Sequence, residues 1–227
     1  RPRLWRWIRL GSTRSADNWP RRCSAASGRR NFLRPLDFSV AARYRPAVEH
    51  LEIGGDFYDV VGSGDDVVLT LGDVCGKKGG VDSAALTLQA RQTIRTSAHF
   101  DRSPDRVLDT LNTVLCEQAV GRFVTTLCAR VRGRPDGDWA EAHVAAAGHP
   151  GPIVVRATGD IEQIEVSGIA AGVKLGVNYR TAAVRLERGD TMLMFTDGVE
   201  EARRDERLYG VHRLLELLPA YAAPAER

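Results

Sequence analysis

The sequence predicts an α+β fold built on antiparallel sheets rather than a doubly wound parallel sheet. Three observations carry this expectation. Strand-like runs open the regular part of the chain, two helices then follow one another with no strand between them, and further strand-like runs joined by Gly- and Asp-containing turns fill the remainder.

The elements follow in chain order. Residues 1–34 show no sustained period and mix Trp5, Trp7 and Trp19 with arginines, so they read as an Arg-rich, disordered arm or linker. Residues 35–227 form the regular domain. Strands are expected over Asp37–Tyr44, Phe57–Val61 and the Val- and Leu-rich run Asp66–Val74, the last two joined by Gly62-Ser63-Gly64-Asp65. Asp82–His99 reads as a helix with Ala85, Leu88, Gln89 and Gln92 at helical spacing and Asp82 or Ser83 as N-cap. Ser103-Pro104 opens a second helix, in which Val107, Leu108, Leu111, Val114 and Leu115 form one apolar stripe. Three hairpins are then expected: Phe123–Arg132 with Trp139–Ala147, Pro152–Arg156 with Ile161–Val166, and Thr181–Leu186 with Thr191–Thr196. A last helix covers about Val211–Leu218.

Composition bounds the class. The chain has 227 residues, 43% hydrophobic and 27% charged, which suits a globular domain and excludes a fibrous or wholly disordered one. No run approaches the roughly 20 apolar residues of a membrane span. The net charge is +3, yet residues 1–34 hold ten Arg and one acid, Asp17. Subtracting the +9 of that segment from +3 leaves −6 on residues 35–227. The folded part is acidic, and nucleic-acid binding is not expected. Cys23, Cys75, Cys116 and Cys128 show no CxxC pair and no zinc spacing with histidines. Scattered thiols of this kind point to a reducing compartment, and a cytoplasmic location is expected.

Three acidic motifs sit at strand ends: Gly54-Gly55-Asp56, Gly72-Asp73-Val74-Cys75-Gly76 and Thr196-Asp197-Gly198. A strand fixes the Cα of such an Asp, and the following turn directs its carboxylate outward. Carboxylates that converge repel one another unless a cation neutralises them, and oxygen-only donors select a hard ion such as Mg²⁺ or Mn²⁺. Each motif alone is equally an ordinary turn. Gly72–Lys77 lacks the spacing and the hydroxyl residue of a phosphate-binding loop, and Gly-Gly-Asp-Phe lacks the Glu of a cyclase loop.

Ordered strings carry a resemblance: VAARYRPAVEHLEIGGDFYDVV, LTLGDVCGK, AALTLQARQTIRT, RFVTTL, AAAGHPGPIVV, LERGDTMLMFTDGVEEA and YGVHRL. Together they resemble the SpoIIE/RsbU-like bacterial branch of the metal-dependent protein phosphatases (PPM, protein phosphatase 2C type), over about Ser39 to Leu214. The resemblance implies an α-β-β-α sandwich, two antiparallel sheets flanked by helices. It implies two Mn²⁺ or Mg²⁺ ions at one end, with Asp73 bridging both, the Val74 carbonyl and Asp56 on the first, and Asp197 on the second. The implied activity is hydrolysis of phosphoserine or phosphothreonine by a metal-bound water. The implied substrate is a phosphorylated STAS-type anti-sigma-factor antagonist, and a homodimer is compatible with the branch.

Three departures from the branch accompany these motifs. No Asp-Asp strand follows Leu218, so the domain is expected to lack its last strand and one carboxylate. The Gly76–Leu86 segment is about two residues longer than usual, and the Arg-rich segment stands where an N-terminal helix is typical. They keep a second reading open, a catalytically impaired phosphatase-fold module that binds a regulatory partner. Cys75 reads as a packing residue, His149 as a turn residue bonded to backbone, Asp59 as a supporting residue and Asp190 as a hairpin-turn residue.

Overall fold

In the computed structural model of the protein, the described residues are 3–10, 38–45, 55–75, 81–118, 121–134, 139–200, 203–204 and 207–222. The elements are β1 (Arg3–Leu10), β2 (Phe38–Arg45), β3 (Phe57–Ser63), β4 (Asp66–Cys75), α1 (Val81–Phe100), α2 (Pro104–Glu117), β5 (Phe123–Gly133) and β6 (Trp139–Ala147). They continue with β7 (Ile153–Val155), β8 (Ile161–Gln163), β9 (Thr181–Glu187), β10 (Thr191–Phe195), α3 (Asp197–Glu200), β11 (Arg203–Arg204), β12 (Arg207–Leu208) and α4 (Gly210–Ala222). One sheet has the order β3-β4-β5-β6-β9 and the other β2-β1-β10-β7-β8, both antiparallel throughout.

Alternation along the strands builds the layers. Successive residues of a strand face opposite sides, so β4 sends Leu69 and Leu71 into a core between the sheets and Val68 into a second core under the helices. Likewise β10 sends Met192 and Met194 inward, and Leu193 and Phe195 outward against α3 and α4. The helices α1 and α2 cover the first sheet through Leu86, Ala90, Ile94, Leu108, Leu111 and Leu115. The result is a four-layer α-β-β-α sandwich, as expected.

Three expectations need correction. Residues 1–34 were expected as a disordered arm, but Arg3–Leu10 is strand β1, paired with β2 on one side and β10 on the other. The run holds Trp5, Trp7 and Ile8, which favour strands, and the sheet supplies two edges for it. The remainder of that arm lies outside the described residues.

The pair Thr181–Leu186 and Thr191–Thr196 is no hairpin, because β9 pairs with β6 in one sheet and β10 with β1 and β7 in the other. The intervening turn, with Gly189 at φ +93°, carries the chain between sheets. Asp190 is buried there. Its carboxylate accepts from the backbone N–H groups of Ala157 (2.9 Å) and Glu187 (3.0 Å) and from Arg156 (2.8 Å), tying the crossing to the β7–β8 turn.

On α1 the buried face is Leu86, Ala90, Ile94 and Ala98, whereas Ala85 and Leu88 are exposed. Helical spacing permits either stripe, and packing on the sheet selects the one with the larger branched residue. The helix also begins at Val81, so Asp82 and Ser83 lie inside its first turn rather than at its cap.

Candidate functional site

The three strand-end acids come to one end of the sandwich from both sheets. Asp73 is the penultimate residue but one of β4, registered against Thr125 of β5, whose hydroxyl donates to the Asp73 carbonyl at 3.4 Å. Asp56 immediately precedes β3. The Val74 N–H donates to the Gly55 carbonyl at 3.2 Å, which clamps the Gly55-Asp56 segment alongside the end of β4. Asp197 opens α3 directly after β10. The preceding Thr196 is buried, and its hydroxyl lies 3.4 Å from Asp56 Oδ2, a contact that joins the second sheet to the first.

Gly55 makes this approach possible. A Cβ there would overlap Asp73 Oδ1 and stand 3.0 Å from the Val74 carbonyl oxygen. The helix α1 reaches the same place, where the Thr87 hydroxyl lies 3.4 Å from the Gly55 carbonyl and 2.8 Å from that of Ser83.

The electrostatics follow from crowding. Burial, then the charges of Asp73 and Asp197, push Asp56 up to about 8, and its carboxyl hydrogen-bonds that of Asp73. The Cys75 thiol is raised by burial and then by Asp73, so it stays protonated at neutral pH. A half-buried carboxyl pair in hydrogen-bond contact is a site short of positive charge. Its donors are oxygens, the set that hard divalent cations select. The residues present therefore fit Mn²⁺ or Mg²⁺, with a proton standing in where a cation would neutralise the pair. Among the described residues no three His, Cys, Asp or Glu side chains are already gathered as an ion-binding group, although the Asp197 charge is close enough to act on Asp56.

Other sequence candidates lie elsewhere. Asp59 is buried on β3 and takes a two-pronged contact from Arg95, with Nε at 2.8 Å and Arg91 at 3.7 Å, so it anchors α1 to the sheet. His149 is buried, and its Nδ1 lies 2.8 Å from the Pro150 carbonyl, as a backbone-bonded turn histidine should. The Lys77–Gly80 loop lies outside the described residues. Gly55 and Thr196 were missed as contributors. The signal was adjacency, since each directly precedes one of the acids.

Comparison with known proteins places this arrangement in a family. Residues 63–227 match the model described as Stage II sporulation protein E (SpoIIE). The chain is 27% identical over 157 residues to phosphoserine phosphatase RsbU of Bacillus subtilis (strain 168), covering 68% of this chain and 45% of that protein. The crystal structure of the RsbU and RsbW domains of Rv1364c from Mycobacterium tuberculosis superposes with a TM-score of 0.67 at 27% identity, over 79% of this chain and 50% of that one. The SiaA-PP2C domain of Pseudomonas aeruginosa shares the fold, with a TM-score of 0.62 at 20% identity over 76% of this chain and 68% of that one. The chain thus spans less than half the length of its RsbU relative. Since the family match takes in most of the chain, the chain belongs to the SpoIIE family of PP2C-type phosphatase domains.

Proposed function

We propose that this domain hydrolyses phosphoserine or phosphothreonine on a regulatory protein, with two Mn²⁺ or Mg²⁺ ions as cofactors. The observation that carries the reading is the contact between the Asp56 and Asp73 carboxyls, in which burial and then the charges of Asp73 and Asp197 push Asp56 up to about 8. Asp73 is assigned to bridge the two ions, Asp56 and the Val74 carbonyl to the first, and Asp197 to the second. When bound, such a pair acidifies a water nucleophile and screens charge on the phosphoryl oxygens.

The chain's own residues prepare that chemistry. Gly55 lets the β3 entry press against β4, Thr196 steers the Asp56 carboxyl, and Thr125 fixes the end of β4. Asp56 must give up its proton for a cation to bind. The Cys75 thiol, held protonated, packs beside the acids as a neutral neighbour.

The substrate class assigned is a phosphorylated STAS-type anti-sigma-factor antagonist, on the resemblance to RsbU-type phosphatases. The mycobacterial neighbour, which carries RsbU and RsbW domains in one structure, is in keeping with that class. A cytoplasmic location and a homodimer belong to the same reading. Among the described residues no helix is long and apolar enough to cross a membrane.

A second reading, a partner-binding module without turnover, is favoured by the finding that among the described residues no three ligating side chains are already gathered. Calorimetric titration with Mn²⁺ separates the two. Two sites that are both lost in Asp73→Asn support the phosphatase, whereas one site or none in the native protein supports the binding module.

A further inference from the structure

His149 lies in the turn that leaves β6 for β7, crossing from one sheet to the other. Its ring is buried, at 6% exposure. Nδ1 is 2.8 Å from the carbonyl oxygen of Pro150. A carbonyl only accepts, so Nδ1 carries the hydrogen and donates it. Burial disfavours the imidazolium and lowers the ring's basicity. Nε2 of the neutral ring is then a pure acceptor. It is buried, and no protein donor meets it. Most buried acceptors are satisfied, by protein or by water.

The place of this orphan gives it meaning. In the β10–β7 pair Leu193 stands opposite Ile153. His149 lies four residues before Ile153 and Asp197 four residues after Leu193, so both leave the same end of this pair, and the Asp197 charge reaches the ring. The unpaired acceptor therefore lies in the neighbourhood of Asp197, on the same end of the sandwich as the Asp56–Asp73 pair. Hard divalent cations prefer oxygen to imidazole and keep several waters. A buried water needs two or more polar partners. Asp197 offers one acceptor and Nε2 another, one for each hydrogen.

We propose that Nε2 of His149 accepts a hydrogen bond from a water shared with Asp197, so that His149 is a positioning residue for the Asp197 side of the cation site. The fixed tautomer, Nδ1–H on a backbone carbonyl, orients the ring as histidines around metals are commonly oriented. The inference rests on the cation reading given above.

The test compares the native chain with His149→Leu and His149→Gln by Mn²⁺ titration and by thermal unfolding with and without Mn²⁺. Leu removes the orphaned acceptor, so the cation-free protein should unfold at the same temperature or higher. Its weaker Mn²⁺ step should lose roughly 10–100-fold in affinity, the range for outer-shell partners, and the Mn²⁺-induced rise in Tm should shrink. Gln places an amide oxygen near the position of Nε2 and should recover most of both. Unchanged Mn²⁺ affinity in His149→Leu overturns the proposal. So does collapse of its cation-free fold, which would make the ring a packing element. Absence of any Mn²⁺ response in the native chain overturns the cation reading itself, a result visible before either variant is measured.

Discussion

Asp56 departs furthest from the behaviour of a free side chain. Its carboxyl titrates near 8 in the cation-free fold against an ordinary 3.8, from burial and from the charges of Asp73 and Asp197. Between those values the folded chain holds a proton that the unfolded chain has released. The stability this confers is complete below about 3.8 and is lost as the pH rises through about 8. The cation-free protein should therefore become less stable from pH 5 to about 8, as read by denaturant unfolding across that range. Binding of a divalent cation must displace the same proton. Near pH 7 Mn²⁺ binding should release about one proton, seen as a dependence of the calorimetric heat on buffer ionisation enthalpy, and no such dependence would contradict the assignment. Gly55→Ala probes the same contact sterically. A Cβ overlapping Asp73 Oδ1 should cost roughly 1–3 kcal/mol of stability and weaken Mn²⁺ binding, with a shifted unfolding midpoint as the check. At this scale the sequence made the three acids legible, because strand-end Asp residues have a recognisable context. It did not reveal the orphaned Nε2 of His149 or the clamp at Gly55, since both depend on which backbones approach each other.

At the scale of elements, alternation and stripe patterns made most strands and helices readable, including α2 with its buried Val107, Leu108, Leu111 and Leu115. What they could not supply was partnership. The β9–β10 run looks like a hairpin because both flanks alternate around a Gly-Asp turn, yet its strands enter different sheets and Asp190 ties the crossing down. The β1 run looks like an arm because its arginines break the alternation, yet it lies centrally in its sheet. A strand with partners on both sides has every backbone N–H within a ladder. Trp7→Pro removes one such donor from the stretch registered with Ala41 and Leu193. It should cost on the order of 2 kcal/mol or more, measured as a lowered denaturation midpoint, and an unchanged midpoint would show that β1 contributes nothing to the fold. Asn112 makes a matching prediction on α2. Its fully buried amide donates to the Lys174 carbonyl and accepts from the Gly172 N–H, both at 2.9 Å, pinning the loop before β9. Asn112→Ala should cost about 1–3 kcal/mol by removing a buried amide and both of its backbone hydrogen bonds, and hydrogen exchange should report the loosened loop.

Across the whole molecule the layers serve one purpose. The helices α1 and α2 cover one sheet, α3 and α4 the other, and the inter-sheet core holds the ends of β4 and β10 in register so that acids from both sheets share one rim. The four-layer arrangement was legible only through the family resemblance, since alternation alone fixes faces but not which sheets stack. The most direct test of the account is phosphate release from a phosphoserine STAS-type antagonist protein, with Mn²⁺ and with chelator, by the native chain and by Asp73→Asn. The account predicts turnover that requires Mn²⁺ and falls more than about 100-fold in the variant, beyond the range for outer-shell partners alone. Mn²⁺-dependent binding of the phosphoprotein without release, or release that Asp73→Asn leaves intact, would contradict it.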